Sequence, residues 1–142
     1  MLGYNSVIPA DKAAQLNISL KYMDKWQERR SIISDQFIAG LDGVRDIITP
    51  KTRNGAVHCW HKFIIRTSNR DELQKHLANK GIQTQVHYKV PLPSEPIFGC
   101  NNPDSFSQAI HYSKTCLSLP IYAELKDEEV DYIIRQIKDS VW

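Results

Sequence analysis

Residues 81–98, GIQTQVHYKVPLPSEPIF, decide the fold that we predict for this chain. Apolar and polar residues alternate from Ile82 to Val86, which is the pattern of a half-buried β-strand. This strand runs directly into His87 and Tyr88 and then into a proline-rich bend. Because proline restricts the backbone, we expect an ordered loop that presents these polar side chains at a site.

The segments on either side predict alternating helices and strands. Apolar residues spaced by three and four predict an amphipathic helix over residues 13–41, with a bend or break near Arg30 and Ser31. The remaining predicted elements are strands over 44–49, 58–67 and 82–87, helices over 70–79 and 104–115, an extended piece at 117–120 and a closing helix over 127–140. We expect Ser68 or Asn69 to cap the helix over 70–79.

The closing helix gives the clearest periodicity. Its predicted buried stripe consists of Val130, Ile133, Ile134 and Ile137, and three acidic residues at 127–129 suit the positive end of the helix dipole. The alternation of elements predicts an α/β or α+β fold. We expect a single domain over residues 1–142, with a small, largely antiparallel sheet of about three strands and helices packed on one side.

The composition excludes several classes of protein. A net charge of +2, with 42% hydrophobic and 24% charged residues, is typical of a globular protein. The basic residues are scattered, which disfavours a nucleic-acid partner. No apolar run approaches the roughly 18 to 20 residues that span a membrane, and the N-terminus lacks the pattern of a signal peptide. The three cysteines are widely separated, which argues against a disulfide framework and suits a cytoplasmic location.

The sequence His58-Cys59-Trp60-His61 is the one candidate metal motif. On the strand predicted here, residues three apart point to opposite faces, so the two imidazoles would diverge. Zinc needs about four convergent ligands, and we therefore predict no metal site. The chain also lacks a glycine-rich phosphate loop.

Four motifs in a fixed order carry a family resemblance. They are GYNS at 3–6, HCWHKFIIR at 58–66, GIQTQVHY at 81–88 and LSLPIY at 117–122. This order resembles the C-terminal small domain of the DegT/DnrJ-type, or StrS-like, sugar aminotransferases. Those enzymes depend on pyridoxal phosphate (PLP) and make amino sugars on nucleotide carriers. The resemblance covers nearly the whole chain.

The resemblance assigns a cofactor contact to Asn5. In the family pattern G-Y-N-S-R, the asparagine reaches across a dimer interface to the cofactor phosphate of the neighbouring subunit. The resemblance therefore implies a homodimer. Val7 stands where the pattern has arginine, and Pro9 and Ala10 replace acidic residues that usually follow.

The resemblance also places His87 and Tyr88 beside the substrate entrance. The family pattern is close to H-Y-P-x-P-L-H. Pro91 and Leu92 match it, whereas Lys89 replaces the first proline and Pro93 replaces the second histidine. The implied substrates are a nucleotide-linked keto-sugar and an amino donor such as glutamate. Loss of the second histidine suggests a different sugar or a weakened site.

No catalytic residue is predicted in this chain. The lysine that holds PLP belongs to the large domain of such enzymes, and neither Lys62 nor Lys89 occupies a comparable motif. We therefore expect the chain alone to be inactive and not to bind PLP by itself. A stand-alone binding or interaction module derived from such an enzyme is the alternative, which Val7 and Pro93 favour slightly. Tyr22, Met23 and Trp26 form an apolar stripe on the first helix, which is either core or, in part, an interface left open by an absent large domain.

Overall fold

The elements of the protein alternate much as the sequence predicts. The structure is a computed structural model that describes residues 7–98 and 103–140. Its helices and strands are α1 (Ala10–Leu20), α2 (Met23–Leu41), β1 (Phe63–Arg66), α3 (Arg70–Asn79), α4 (Ser107–Thr115), β2 (Cys116–Leu119) and α5 (Asp127–Asp139). Short 3-10 turns at Leu92–Ser94, Pro96–Phe98 and Pro103–Phe106 lie between α3 and α4.

The sheet is antiparallel and centres on β1 and β2. Ile64 pairs with Ser118 and Arg66 pairs with Cys116. A single bridge on each side extends the sheet, with Ile48 against Arg66 and Gln85 against Ser118. The predicted fold class is confirmed. The described sheet has two strands rather than about three, because only isolated bridges form at Ile48 and Gln85. The extended piece at 117–120 is in fact a central strand.

Left-handed backbone shortens the predicted strands. Gly43 and Asp46 have φ angles of 68° and 61°, which interrupt extended backbone, so only Ile48 of the predicted strand over 44–49 pairs. Trp60 has a φ of 47°, and the predicted strand over 58–67 therefore begins only at Phe63. The strand predicted over 82–87 retains the single bridge at Gln85.

One face of the sheet forms the core. Phe63 and Ile65 of β1 are fully buried, and Leu117 and Leu119 of β2 lie beside them. The helical residues of the same core are Ile33, Phe37 and Leu41 of α2, Leu73 and Leu77 of α3, and the predicted stripe Val130, Ile133, Ile134 and Ile137 of α5. Three helices thus cover this face. Helices are not confined to one side as predicted, because α4 places Tyr112 over Arg66 on the opposite face.

The long first helix breaks at Lys21 and Tyr22, and the prediction of a break near Arg30 and Ser31 is wrong. The backbone N–H groups of Lys21 and Tyr22 bond three residues back, which tightens and ends α1. Arg30 instead lies within α2, where its side chain donates a hydrogen bond to the Cys59 carbonyl at 3.2 Å. This tertiary contact holds the middle of α2 in place.

The start of α3 is capped differently from the prediction. Neither Ser68 nor Asn69 caps it with its side chain. Asp46 Oδ2 accepts hydrogen bonds from the Thr67 hydroxyl at 2.8 Å and from the Ser68 N–H at 3.0 Å. The Thr67 hydroxyl in turn accepts the Asn69 N–H at 3.2 Å. An aspartate distant in sequence therefore fixes the turn that leads into α3.

Within residues 7–98 and 103–140, no helix is both long enough and apolar enough to cross a bilayer.

Candidate functional site

The second face of the sheet opens onto a groove that contains the predicted site residues. Ile64 and Arg66 alternate with the core residues of β1 and are only partly buried. His87 and Tyr88 follow the bridge at Gln85 and lie beside Ile64. The groove has a volume of about 660 Å³, and its other lining residues include Pro91, Leu92, Glu95, Tyr112 and Cys116. The sheet and the proline-rich loop thus place both His87 and Tyr88 in the lining of this groove.

Two contacts from β2 hold His87 in place. Its Nδ1 atom lies 2.8 Å from the hydroxyl oxygen of Ser118. The Cys116 thiol is 3.7 Å from the His87 carbonyl oxygen and donates a hydrogen bond to it. Because β2 is buried along its whole length, the hydrogen bond to Ser118 fixes the imidazole against a strand of the core and not only against its own loop.

The surroundings of His87 favour its neutral form. Burial lowers the pKa of His87 below its ordinary value, and the positive charges of Lys62 and His61 lower that pKa further. A neutral imidazole has one nitrogen that donates a hydrogen bond and one that accepts it. At neutral pH, His87 is therefore suited to hydrogen bonding with an uncharged group in the groove.

Tyr88 is the more exposed member of the pair, with 69% of its surface accessible. Its ring meets the His87 ring edge to face, with 5.3 Å between the ring centres. The Lys62 ammonium lies 5.4 Å from the centre of the Tyr88 ring. Tyr88 therefore offers an aromatic face and a hydroxyl at the mouth of the groove, and a cation lies beside the ring.

A second groove of about 600 Å³ adjoins the first and shares Ile64 and Tyr112 with it. Its cationic groups are Arg66 and Lys51. The Arg66 guanidinium lies 4.8 Å from the centre of the Tyr112 ring, which fixes its position by a cation–π contact. The face of the sheet opposite the core is therefore positively charged at this second groove.

Sequence reasoning missed Arg66, Tyr112 and Ser118. Arg66 ends an apolar strand, and Tyr112 comes from a helix that only the tertiary fold brings over it. Ser118 left the clearest signal, because it is a polar residue between Leu117 and Leu119 in a buried strand. A polar residue at such a position needs a hydrogen-bond partner, and that partner is His87.

The His58-Cys59-Trp60-His61 segment lies outside the strand in which the sequence predicts it, since β1 begins at Phe63. The Trp60 N–H donates a hydrogen bond to His58 Nδ1 at 2.8 Å, and the two rings lie 4.0 Å apart. Trp60 is buried against Phe63, so it forms part of the core rather than of the sheet. Among the described residues, no three His, Cys, Asp or Glu side chains converge as metal ligands would.

Comparison with known proteins finds relatives over nearly the whole chain. The model of the DegT/DnrJ/EryC1/StrS aminotransferase family matches residues 1–138. The chain belongs to this family. The pleiotropic regulatory protein of Geobacillus stearothermophilus is 35% identical over 98% of this chain and 38% of its own length. The dTDP-3-amino-3,4,6-trideoxy-alpha-D-glucose transaminase of Streptomyces venezuelae is 34% identical over 96% of this chain and 37% of its own length.

A solved structure of the family has the same fold. S. venezuelae DesV, in complex with a ketimine intermediate, matches with a TM-score of 0.92 and 34% identity, over 98% of this chain and 38% of that chain. The chain therefore spans about 38% of the length of these relatives. It corresponds to the C-terminal portion of nucleotide-sugar aminotransferases.

The cofactor of DegT/DnrJ/EryC1/StrS aminotransferases is PLP. The described lysines do not fit the role of the lysine that binds PLP: Lys62 is partly buried beside Tyr88, and every other one is exposed. A lysine of that kind must lie in a pocket against the cofactor ring. Asn5, the predicted contact to the PLP phosphate, lies outside the described residues.

Proposed function

We propose that the protein carrying this chain is a PLP-dependent aminotransferase. It would transfer an amino group from a donor such as glutamate to a keto-sugar on a nucleotide carrier. The observation that carries this proposal is the match to DesV, with a TM-score of 0.92 over 98% of the chain. The 34% identity to a dTDP-amino-sugar transaminase supports the same substrate class.

In this proposal, His87 and Tyr88 bind the sugar substrate at the mouth of the groove. The groove of about 660 Å³ lies within the usual size of small-molecule sites and combines apolar walls with a few polar groups. A sugar offers hydroxyl and carbonyl oxygens, which the imidazole and the phenol can bind by hydrogen bonds. The adjoining groove at Arg66 extends this surface with positive charge.

PLP would supply the amino-transfer chemistry as an electron sink, and the protein would supply position and electrostatics. The lysine that binds PLP would come from residues outside this chain, since the described lysines do not fit that role. Asn5 would contact the phosphate of the PLP bound by a second subunit. By itself, the chain would neither bind PLP nor transaminate.

The exposure of α1 supports an assembly of this kind. None of its residues is buried, and Leu16, Ile18 and Leu20 each expose more than half of their surface. Tyr22 and Met23, two of the three residues predicted to be either core or interface, are exposed in the same region. Their exposure supports an interface rather than a core. Leu16 and Leu20 are four residues apart and share one face of α1. Exposed apolar side chains that lie together are typical of surfaces that another part of an assembly covers. A homodimer in which Asn5 acts across the interface agrees with this arrangement.

Reduction of bound cofactor tests the proposal. The protein is purified as its source cell makes it, treated with borohydride, and its peptides are mapped by mass spectrometry. We expect one PLP adduct per subunit, on a lysine that is not part of this chain. The 142-residue chain, titrated separately with PLP, should give no site-specific adduct. A protein without PLP would contradict the enzymatic proposal and favour the binding module instead.

A further inference from the structure

Ser118 occupies an unusual position for a polar residue. It lies in the middle of β2, and only 6% of its surface is accessible. Its backbone N–H donates to the Gln85 carbonyl at 2.8 Å, and its carbonyl accepts the Gln85 N–H at 3.2 Å. Both backbone groups are thus paired within the sheet. Only the hydroxyl group remains to interact with another side chain.

The hydroxyl hydrogen of Ser118 has one acceptor among the described residues. That acceptor is His87 Nδ1, 2.8 Å away. If Nδ1 itself carried a hydrogen and donated it to Ser118, the hydroxyl hydrogen would point into a site nearly closed to water without a partner. Buried polar hydrogens are rarely left unpaired. The arrangement that satisfies both groups has Ser118 donating and Nδ1 accepting.

The direction of the hydrogen bond between Ser118 and His87 determines which ring nitrogen of His87 carries the hydrogen. A neutral imidazole that accepts at Nδ1 carries its hydrogen on Nε2. No described residue bonds to Nε2, and Nε2 is not among the fully buried polar atoms that lack a partner. Since His87 lines the groove, an acceptor for this hydrogen can lie there. Electrostatic repulsion from Lys62 and His61 acts in the same sense, because it disfavours a cationic imidazole at His87.

We propose that Ser118 is a positioning residue that holds His87 in the Nε2–H form. His87 would then donate a hydrogen bond from Nε2 to an acceptor oxygen of the nucleotide-linked sugar. The hydrogen bond to the sugar rests on the proposed function, whereas the effect of Ser118 on the imidazole does not. Separate experiments therefore test these two claims.

Proton–nitrogen NMR correlations of the His87 ring, followed through a pH titration of the 142-residue chain, test the positioning role. In the unsubstituted chain we expect the ring hydrogen on Nε2. A hydroxyl that donates to Nδ1 stabilises the neutral ring, so Ser118→Ala should raise the pKa of His87. A hydroxyl that accepts from Nδ1 would stabilise the cation, and the same variant would lower the pKa.

Ser113→Ala is the matched control. Ser113 is also a buried serine that lines the groove, but its hydroxyl donates to the Ile110 carbonyl at 2.8 Å. We expect the pKa of His87 to be unchanged in this variant. A ring hydrogen on Nδ1 in the unsubstituted chain would overturn the proposal even if Ser118→Ala failed to fold. So would a lowered or unchanged pKa in Ser118→Ala.

Kinetics of the whole aminotransferase test the link to substrate. Ser118→Ala should raise the KM for the nucleotide sugar by about three- to tenfold, the usual worth of one hydrogen bond. The half-reaction with glutamate should be unaffected and serves as the internal reference. An unchanged KM for the sugar would overturn the substrate role of Nε2. Absence of any transamination would instead overturn the proposed function, while the NMR result would still decide the role of Ser118.

Discussion

Gly40 of α2 lies directly against Ile134 of α5 where the two helices pack. A Cβ atom added at Gly40 would lie 2.6 Å from Cδ1 and 3.0 Å from Cγ2 of Ile134. Ile134 is buried beside Ile133 and Ile137 and has little room to move away. The missing side chain at Gly40 therefore lets two helices of the core approach closely.

We expect Gly40→Val to lower the free energy of unfolding by about 1 to 3 kcal/mol, because the added methyl groups overpack this contact. Ala39→Val is the matched control, since Ala39 is the exposed neighbour on the same helix. Its cost should stay near the roughly 0.5 kcal/mol of helix propensity. Urea unfolding measures both. Equal stabilities for the two variants would contradict the close contact.

Arg70 should contribute to stability through its buried guanidinium. It donates hydrogen bonds to the carbonyls of Ser113 at 3.3 Å and Cys116 at 3.5 Å, where α4 ends and β2 begins. Arg70→Met would leave these carbonyls unpaired and should cost about 1.5 to 3 kcal/mol in thermal or urea unfolding. Arg135→Met, at an exposed position, is the control and should change stability little.

The ion pair of Arg70 with Asp71 should matter much less. The two groups are 2.6 Å apart, but the Asp71 side chain is 75% exposed. Exposed ion pairs contribute about 0 to 1 kcal/mol, so Asp71→Asn should lie within that range. If Asp71→Asn were as destabilising as Arg70→Met, the ion pair rather than the carbonyl contacts would explain the role of Arg70.

Asp46 should make stability depend on pH in the acid range. Hydrogen bonds from the side chains of Ser68 and Thr67 lower the pKa of Asp46 below its ordinary value. The stability that Asp46 contributes is present above the unfolded-state pKa of about 3.9 and is lost as the pH falls through the lower folded-state pKa. Asp46→Asn should therefore lose less stability than the unsubstituted chain between about pH 5 and pH 2.

Asp42→Asn controls for the change in net charge, because Asp42 is exposed and its side chain forms no ion pair with the described residues. It should leave the acid dependence as it is in the unsubstituted chain. Asp127 also has a lowered pKa, mainly from the hydrogen bond of Arg29. The contribution of Asp46 is therefore obtained only as the difference in pH-dependent stability between the Asp46 variant and the unsubstituted chain. If the two followed the same pH curve, the bonds at the start of α3 would not favour the carboxylate.

His87 should produce a second pH dependence closer to neutrality. Its folded-state pKa is lowered, so the unfolded chain binds more protons as the pH falls through about 6.5. Stability should then decrease with falling pH until the folded-state pKa is passed. His87→Asn removes this titration. The free energy of unfolding of the variant, relative to the unsubstituted chain, should rise as the pH is lowered through this range.

The parts of the fold with a local cause could be predicted from the sequence. The stripe from Val130 to Ile137 follows from periodicity. Gly81 ends α3 as expected, because its φ of 76° suits glycine. The turn at Trp60 could not be predicted, since its segment is held by contacts with α2 about 30 residues away, such as that of Arg30 with Cys59. The break at Tyr22 follows from local backbone hydrogen bonds at the end of α1, which no glycine or proline marks in the sequence.

The residues of the candidate site also divide into those with a local sequence signal and those without one. His87 and Tyr88 were predicted as site residues because a strand pattern leads into prolines. Arg66, Tyr112 and Ser118 come together only when β2 pairs with β1 and α4 crosses the open face. The positions of Ser118 and His87 are 31 residues apart, and no local pattern links them. The role of Asn5 stays a prediction, as does the cytoplasmic location.

Transfer of a labelled amino group from glutamate to a nucleotide-linked sugar is the most direct test of the proposed aminotransferase activity. The protein, purified as its source cell makes it, is incubated with PLP, glutamate carrying an isotopically labelled amino nitrogen, and a panel of dTDP- and UDP-linked keto-sugars. We expect mass spectrometry to find the label in one nucleotide-linked sugar, only when PLP is bound, and less of it in His87→Asn. A PLP-loaded protein that labels none of these sugars would contradict the assignment to nucleotide-sugar amination.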